Sequence, residues 1–212
     1  MTVRVAVLIS GSGTNLQALI DATSDDNPAM IALVVADRHK ALGLQRARDA
    51  GIPTAVILKR DHDSRERYDE ALVQVLRKHE IEWVALAGFM RLVTPILLDA
   101  FPWRVLNIHP ALLPAFPGLH GQRQAFEYGV KISGATVHFV DTGTDTGPII
   151  AQGAVPLLAG DDEDRARARI LRIEHQLYPM VLRWAAEGRL AVTNRNVTVI
   201  GDLPTFLWSD SV

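Results

Sequence analysis

The chain contains no cysteine, so thiol catalysis, disulfides and zinc–thiolate sites are excluded from its chemistry. This composition is typical of a reducing cytosol, and we expect a cytoplasmic location. No stretch approaches the roughly 20 apolar residues that a membrane-spanning helix needs, so we expect no membrane partner. The formal net charge of −2 provides no basic field that would attract nucleic acid. The partners that remain are small molecules.

The chain also lacks an evident linker, internal repeat or low-complexity segment. Its 212 residues, 48% hydrophobic and 22% charged, suit one domain that buries most of its surface without a structural metal. We therefore predict a single domain over residues 1–212. The apolar run at the start is too short for the core of a signal peptide and leads into a Gly-rich turn, so we interpret it as a first strand.

Short β-branched runs alternate with helical patterns, which indicates right-handed βαβ units. We predict an α/β fold with a Rossmann-like, mostly parallel, seven-stranded sheet flanked by helices. The seven strands are predicted at 3–9, 31–36, 54–58, 83–87, 105–109, 135–140 and 149–155. Helices are predicted at 15–22, 41–50, 64–79 and 121–128, and after residue 160. Only a short turn separates the last two strands, so these should be antiparallel.

The helix after residue 160 carries its apolar residues at helical spacing, so it should pack on one face. Pro179 lies inside this segment and should kink or divide the helix. Residues 189–212 alternate loosely between apolar and polar side chains, and we predict a terminal strand or hairpin there.

A Gly-rich turn joins the first strand to the first helix, with Gly11 and Gly13 inside it. Such a turn lets backbone N–H groups approach a ligand, and the helix N-terminus favours an anion, so we predict a phosphate site, most simply for a monophosphate. A dinucleotide fingerprint would need a third glycine where Leu16 stands, although Asp37 lies where a ribose ligand would be expected. A tight turn without a ligand is the structural alternative.

Asn107 and His109 lie two residues apart at the end of the fifth predicted strand. Alternate strand residues point to one face, and open α/β sheets bind ligands at the carboxyl ends of their strands. An amide and an imidazole that converge there can stabilise an oxyanion and move protons near neutral pH. Because no serine stands in a nucleophile-elbow pattern, we expect direct attack of a substrate nucleophile on a carbonyl.

A catalytic histidine usually has a carboxylate that orients it or raises its pKa. Asp145, in the Gly/Thr-rich loop between the last two predicted strands, is the first candidate, and Asp141 is the second. The structural alternatives are that Asn107 caps a turn, His109 packs in the core, and Asp145 only initiates a turn.

Six stretches of the chain, in this order, resemble the phosphoribosylglycinamide formyltransferase family, within the wider group of formyl-folate enzymes. They are VLISGSGTNLQALIDA, DSRERYDEAL, LAGFMRLVTP, LNIHPALLPAFPGLHG, GATVHFVDTGTDTGPIIAQ and EHQLYP, and they span residues 5 to about 180. The N-x-H-P-x-L-L-P pattern marks the wider group, and GSGTN with FPGLHG points to the glycinamide ribonucleotide branch.

This resemblance implies an enzyme of purine biosynthesis that transfers the formyl group of 10-formyltetrahydrofolate to the glycinamide amine of 5-phosphoribosylglycinamide. It allows a homodimer and makes a cis bond at Leu113–Pro114 an expectation. We expect no metal, because the adjacent Asp61, His62 and Asp63 are not paired at helical or strand spacing. The nucleotide-substrate half would cover about 1–100, the folate and catalytic half about 86–190, and the tail 189–212.

The resemblance also implies roles for individual residues. Asn107 and His109 would act on the formyl group, with His109 as the general acid and Asp145 raising its pKa. The remaining contacts would be made by Gly13, Thr14 and Asn15 to the substrate 5′-phosphate, by Glu174 near the ribose, by Met90, Arg91, Leu92 and Val93 in the folate pocket, by Arg65 to the folate tail, and by the Asp141–Asp145 loop over the pterin.

Two departures from the family pattern bear on these roles. The turn reads SGT where some members have asparagine before Gly-Ser, so the phosphate contact should be mainly backbone. Gly121-Gln122 stands where some members carry another histidine. The alternatives are a formyltetrahydrofolate hydrolase or methionyl-tRNA formyltransferase, each expected to have an additional domain, or an NAD-dependent or nucleotide-binding protein of the Rossmann class.

Overall fold

A computed structural model describes residues 2–23, 27–201 and 204–209. The chain forms two compact units, Met1–Asn107 and Ile108–Val212. The single-domain assignment stays a prediction. Among the helices of the described residues, none has the length and apolarity that crossing a membrane would require.

The first unit contains four parallel strands and the first three residues of a fifth, in the order β3–β2–β1–β4–β5. Their bounds are β1 Val3–Ile9, β2 Ala29–Ala36, β3 Thr54–Val56, β4 Trp83–Leu86 and β5 Val105–His109. Its helices are α1 Thr14–Ala22, α2 Gly43–Asp49, α3 Arg65–Lys78 and α4 Pro95–Ala100, with a 3₁₀ turn at Lys59–Asp61. The inner strands are almost wholly buried, as expected for parallel strands covered on both faces.

The helix starts of the first unit follow local capping chemistry. The Ser64 hydroxyl accepts a hydrogen bond from the backbone N–H of Arg67 and so begins α3. Pro95 is the first residue of α4, where its missing N–H costs no helical hydrogen bond. α4 is absent from the elements predicted by the sequence, because its six residues are too few to show a helical period.

The second unit combines a long helix with three paired strands and a separate hairpin. Its elements are α5 Gly121–Tyr128, β6 Ile132–Phe139, β7 Ile149–Pro156, α6 Glu163–Ala186, β8 Leu190–Thr193, β9 Asn196–Val199 and β10 Phe206–Trp208. β6 and β7 are antiparallel, as predicted, and β10 pairs with β7 in parallel. The hairpin of β8 and β9 stands apart as a two-stranded antiparallel sheet.

The α/β class, the seven predicted strands and the mostly parallel pairing are confirmed. β10 is an additional strand, so the predicted strand number is too low. The predicted terminal strand or hairpin is found as β8, β9 and β10, while positions 202–203 and 210–212 of that tail lie outside the described residues.

Of the two outcomes predicted for Pro179, division of the long helix is not found, because α6 runs unbroken through it, and a kink stays a prediction. Leu177 and Tyr178 precede the proline, Val181 and Leu182 follow it, and all four are buried. Apolar packing on both sides therefore maintains the helix across the hydrogen bond that proline cannot make.

Close packing between α6 and the strands depends on a glycine in β7. A methyl group built on Gly153 would lie 2.4 Å from Cγ1 of Ile173 on α6, which is far below van der Waals contact. The strand therefore needs glycine here to let the fully buried Ile173 approach it.

We expect Gly153→Ala to lower the free energy of unfolding by about 1–3 kcal/mol, because the added methyl group overpacks the interface with Ile173. Gly160→Ala is the matched control, since a methyl group there enters open space and should change stability by less than about 0.5 kcal/mol. Urea unfolding followed by circular dichroism measures both. Equal stability of the two variants would contradict the packing argument.

Candidate active site

The end of β5 places the two residues that the sequence singles out. Asn107 is half-buried and His109 is only 3% exposed, and as alternate residues of one strand they point to the same face. The chain then turns sharply, and the Leu113–Pro114 bond is cis, as expected.

The His109 imidazole has an oxygen near each ring nitrogen. Nε2 lies 2.8 Å from the backbone carbonyl oxygen of Phe116, and Nδ1 lies 3.2 Å from Oδ2 of Asp145. Both oxygens can only accept hydrogen bonds, so a neutral imidazole satisfies one of them and the imidazolium satisfies both. The structure thus brings together the histidine and the first-choice aspartate.

Asp145 is held by more than one donor. Its Oδ2 accepts a hydrogen bond from the backbone N–H of Gly118 at 2.8 Å, and its Oδ1 lies 3.6 Å from Nε2 of His138. Asp145 also has a φ of 55°, a left-handed conformation that is uncommon for a residue with a side chain. The loop therefore adopts an unusual backbone where its carboxylate meets the two histidines.

Asp141, the second candidate, does not pair with His109. Its Oδ1 accepts hydrogen bonds from the backbone N–H of Gly143 at 3.0 Å and from the Thr146 hydroxyl at 2.7 Å. The side chain thus closes its own loop, which is the local turn chemistry common for aspartate.

Burial and charge act on the site in opposite directions. Burial lowers the pKa of His109 below its ordinary value of 6.5, and it outweighs the upward effects of the Asp145 charge and the Phe116 carbonyl. Burial raises the pKa of Asp145, but the contacts with His138, Gly118 and His109 together lower it below its ordinary value. The expected upward effect of Asp145 on His109 is thus present but smaller than the effect of burial.

The turn after His109 is fastened to the core by two side chains that the sequence did not single out. The fully buried Thr136 hydroxyl donates to the carbonyl of Ala111 at 2.7 Å and accepts from the N–H of Leu113 at 3.0 Å. Nε2 of Gln152, the cross-strand neighbour of Thr136, donates to that hydroxyl and to the Leu113 carbonyl. These contacts fix the backbone that leads to Phe116 and Gly118.

Glu174 lies on α6 and is 4% exposed. Nε2 of Gln122 donates a hydrogen bond to Oε1 of Glu174 at 3.4 Å. Gln122 thus contacts the residue predicted to lie near the ribose.

The predicted phosphate-binding turn lies in the first unit. Gly13 precedes α1 with a φ of 70°, and a methyl group on it would lie 2.6 Å from the Cα of Gly43. Among the described residues no side chain caps α1, which begins at Thr14 with Asn15 buried behind it. Nε of Arg46 donates to the Ser12 carbonyl at 3.0 Å and supports the turn. An uncapped helix N-terminus after a tight glycine turn suits an anion.

The predicted folate segment, residues 90–93, follows β4 in the same unit. Met90 is 60% exposed and Leu92 53%, whereas Arg91 and Val93 are partly covered. The hydroxyl of Ser10 accepts a hydrogen bond from the N–H of Met90 at 2.9 Å. Arg65, the predicted contact of the folate tail, is exposed at the first position of α3.

His138, on β6, is a second histidine beside Asp145. Its Nδ1 lies 2.8 Å from the Phe139 carbonyl oxygen, and its Nε2 faces Oδ1 of Asp145. Across the described residues, no group of three or more histidine, aspartate or glutamate side chains could hold a metal ion.

Residues 3–182 match the formyl transferase family. The phosphoribosylglycinamide formyltransferase of Escherichia coli is 46% identical over 187 residues, which cover 88% of this chain and 88% of that protein. The trifunctional purine biosynthetic protein adenosine-3 of Drosophila melanogaster is 49% identical over 90% of this chain, which spans only 14% of that longer protein.

Solved structures are similar over nearly the whole chain. Glycinamide ribonucleotide transformylase 1 from Symbiobacterium toebii has a TM-score of 0.91 at 51% identity and covers 93% of this chain and 94% of its own. Phosphoribosylglycinamide formyltransferase from Anaplasma phagocytophilum has a TM-score of 0.93 at 38% identity over the full length of both. Sequence and fold agree, and the chain belongs to the phosphoribosylglycinamide formyltransferase branch of the formyl transferase family.

Proposed function

We propose that the protein transfers the formyl group of 10-formyltetrahydrofolate to the glycinamide amine of 5-phosphoribosylglycinamide in purine biosynthesis. The observation that carries this proposal is the buried contact of His109 with Asp145 next to Asn107, in a chain of this family. Such a site can stabilise an oxyanion and move a proton, and it offers no nucleophile of its own.

We assign each part of the two substrates to the residues that the sequence analysis predicts for it. The turn with Gly13, Thr14 and Asn15 would hold the 5′-phosphate at the uncapped start of α1. Glu174 would accept hydrogen bonds from the ribose hydroxyls. The folate would contact Met90, Arg91, Leu92 and Val93, with its tail at Arg65 and its pterin under the Asp141–Asp145 loop.

The reaction follows from these roles. The amine nitrogen attacks the formyl carbon, and the carbonyl electron pair moves onto oxygen, where Asn107 and His109 donate hydrogen bonds to the developing oxyanion. Collapse of this intermediate breaks the bond between the carbon and the folate nitrogen. The attacking amine loses one proton and the folate nitrogen gains one, and this proton passes through water or His109.

The burial of His109 affects its protonation state in this scheme. Because burial lowers the pKa of His109, the free enzyme holds the imidazole mainly neutral at pH 7. A negative oxygen beside the ring would favour the imidazolium, whose second N–H also satisfies Asp145. The protonated histidine is therefore a state that the intermediate induces, and Asp145 lowers the cost of reaching it.

The remaining parts of the proposal concern the location, domain organisation, assembly and metal content of the protein. We place the protein in the cytoplasm, as one domain that works without a metal and for which a homodimer is allowed. The absence of cysteine agrees with a reducing compartment.

Incubation with 10-formyltetrahydrofolate, with and without 5-phosphoribosylglycinamide, tests the proposed activity. We expect tetrahydrofolate to appear, followed by absorbance, only when the acceptor is present. Release without the acceptor would indicate a hydrolase instead. No release under either condition would leave a nucleotide-binding protein of the Rossmann class and would refute the proposal.

His109→Ala should lower kcat about 10²–10³-fold, the usual effect of removing one oxyanion donor. Both substrates should still bind, because their predicted contacts lie on other residues. The exposed His39→Ala is the matched control and should keep the wild-type rate. Steady-state kinetics measures all three proteins, and a near-normal kcat in His109→Ala would exclude the proposed chemistry.

Asp145→Asn should lower the pKa of His109 further, because the lost negative charge stabilises the imidazolium in the wild type. The wild-type pKa should lie below 6.5. An NMR titration of the imidazole measures both values. Asp141→Asn is the matched control from the same loop, since Asp141 contacts its own loop and should leave the His109 titration in place. A pKa that rises in Asp145→Asn would contradict the assigned charge interaction.

A further inference from the structure

The backbone of the predicted folate segment, residues 90–93, is held by a hydrogen bond at each end. Before it, the buried hydroxyl of Ser10 accepts a hydrogen bond from the N–H of Met90 at 2.9 Å. After it, Oδ2 of Asp69 accepts a hydrogen bond from the N–H of Thr94 at 2.6 Å. Asp69 is 2% exposed, so this is a desolvated carboxylate whose bond to the backbone is costly to lose.

The peptide groups between these two hydrogen bonds have no protein partner among the described residues. In the part of the chain that the structure describes, the backbone N–H and C=O groups of Arg91, Leu92 and Val93 make no hydrogen bond with other protein atoms. Met90 and Leu92 also expose their side chains. A flat heterocycle with donors and acceptors along one edge needs such an apolar, open backbone segment, provided that the segment holds its shape.

Tyr68 holds the middle of the segment. The guanidinium carbon of Arg91 lies 4.0 Å from the centre of the Tyr68 ring, which is cation–π contact. The Tyr68 hydroxyl is buried and has no hydrogen-bond partner among the described residues. The ring, rather than the hydroxyl, is therefore the part of Tyr68 that acts on Arg91.

One helix carries these contacts. Arg65, Tyr68 and Asp69 occupy positions i, i+3 and i+4 of α3 and so lie on one face. Arg65 is the predicted contact of the folate tail, while the other two residues touch the segment that leads from β4 to α4.

We propose that Asp69 and Tyr68 are positioning residues for the folate, which shape segment 90–93 without contacting the reacting atoms. Asp69 fixes the end of the segment through Thr94, and Tyr68 fixes its middle through Arg91. This inference rests on the proposed function, because it assigns the segment to 10-formyltetrahydrofolate.

Asp69→Ala is the main test, in the full-length protein. We expect the KM for 10-formyltetrahydrofolate to rise at least tenfold, while kcat and the KM for 5-phosphoribosylglycinamide stay within threefold. Asp69→Asn should recover most of the folate affinity, because its amide oxygen can still accept from the Thr94 N–H. Leu76→Ala, which removes a fully buried side chain two turns further along α3, reports the effect of destabilisation alone.

A second pair of variants keeps the test decisive if Asp69→Ala does not fold. Tyr68→Phe retains the ring and should keep the wild-type KM for the folate, whereas Tyr68→Leu removes the ring and should raise it at least fivefold. Equal KM values for Tyr68→Phe and Tyr68→Leu would overturn the role of Tyr68.

Calorimetric titration of each protein with 10-formyltetrahydrofolate separates the two levels of the argument. If the wild type does not bind, the proposed function fails. If it binds and Asp69→Ala binds equally well, the positioning role fails while the function stands. The positioning role also fails if Leu76→Ala weakens binding as much as Asp69→Ala, or if Asp69→Asn binds no better than Asp69→Ala.

Discussion

The site depends on a conflict between desolvation and hydrogen bonding at one imidazole. His109 is almost fully buried, which disfavours its charged form, yet oxygens that can only accept lie beside both of its nitrogens. Burial has the larger effect and lowers the pKa of His109, while the Asp145 charge and the Phe116 carbonyl offset part of that shift. A negative charge nearby would move the balance toward the imidazolium, which suits the general-acid role proposed for His109.

The surrounding hydrogen bonds hold His109 and Asp145 in this arrangement. Phe116 and Gly118 supply a carbonyl and an N–H from the same turn, one to His109 and one to Asp145. Thr136 and Gln152 hold the start of that turn through three hydrogen bonds to its backbone, and a fourth joins their two side chains. In the first unit, Ser10 and Asp69 hold the backbone of segment 90–93 in a similar way. In both places core side chains hydrogen-bond to the backbone of a segment for which a function is proposed, which restricts the positions of its backbone groups.

Much of this was accessible from the sequence, and the rest was not for physical reasons. The two-residue period of a strand placed Asn107 and His109 on one face, and the chemistry of aspartate identified the partner Asp145. The backbone carbonyl of Phe116 and the N–H of Gly118 could not be predicted, since every residue carries these groups. Thr136 and Gln152 look like ordinary strand residues until their cross-strand pairing is known. Pro179 does not divide α6, because local propensity has less weight than the packing around this helix.

The carbonyl of Phe116 affects how a formyl oxygen would bind at His109. In the free protein this oxygen already occupies the Nε2 side of His109, while Asp145 occupies the Nδ1 side. A formyl oxygen that takes a hydrogen bond from the ring must therefore exchange with, or share, a resident partner. In the proposed reaction, recognition at this point would be a substitution between acceptors, so its free energy would be the difference between two similar bonds. A ground-state carbonyl would gain little by that exchange and a negatively charged oxygen much more, which would favour the intermediate over the substrate.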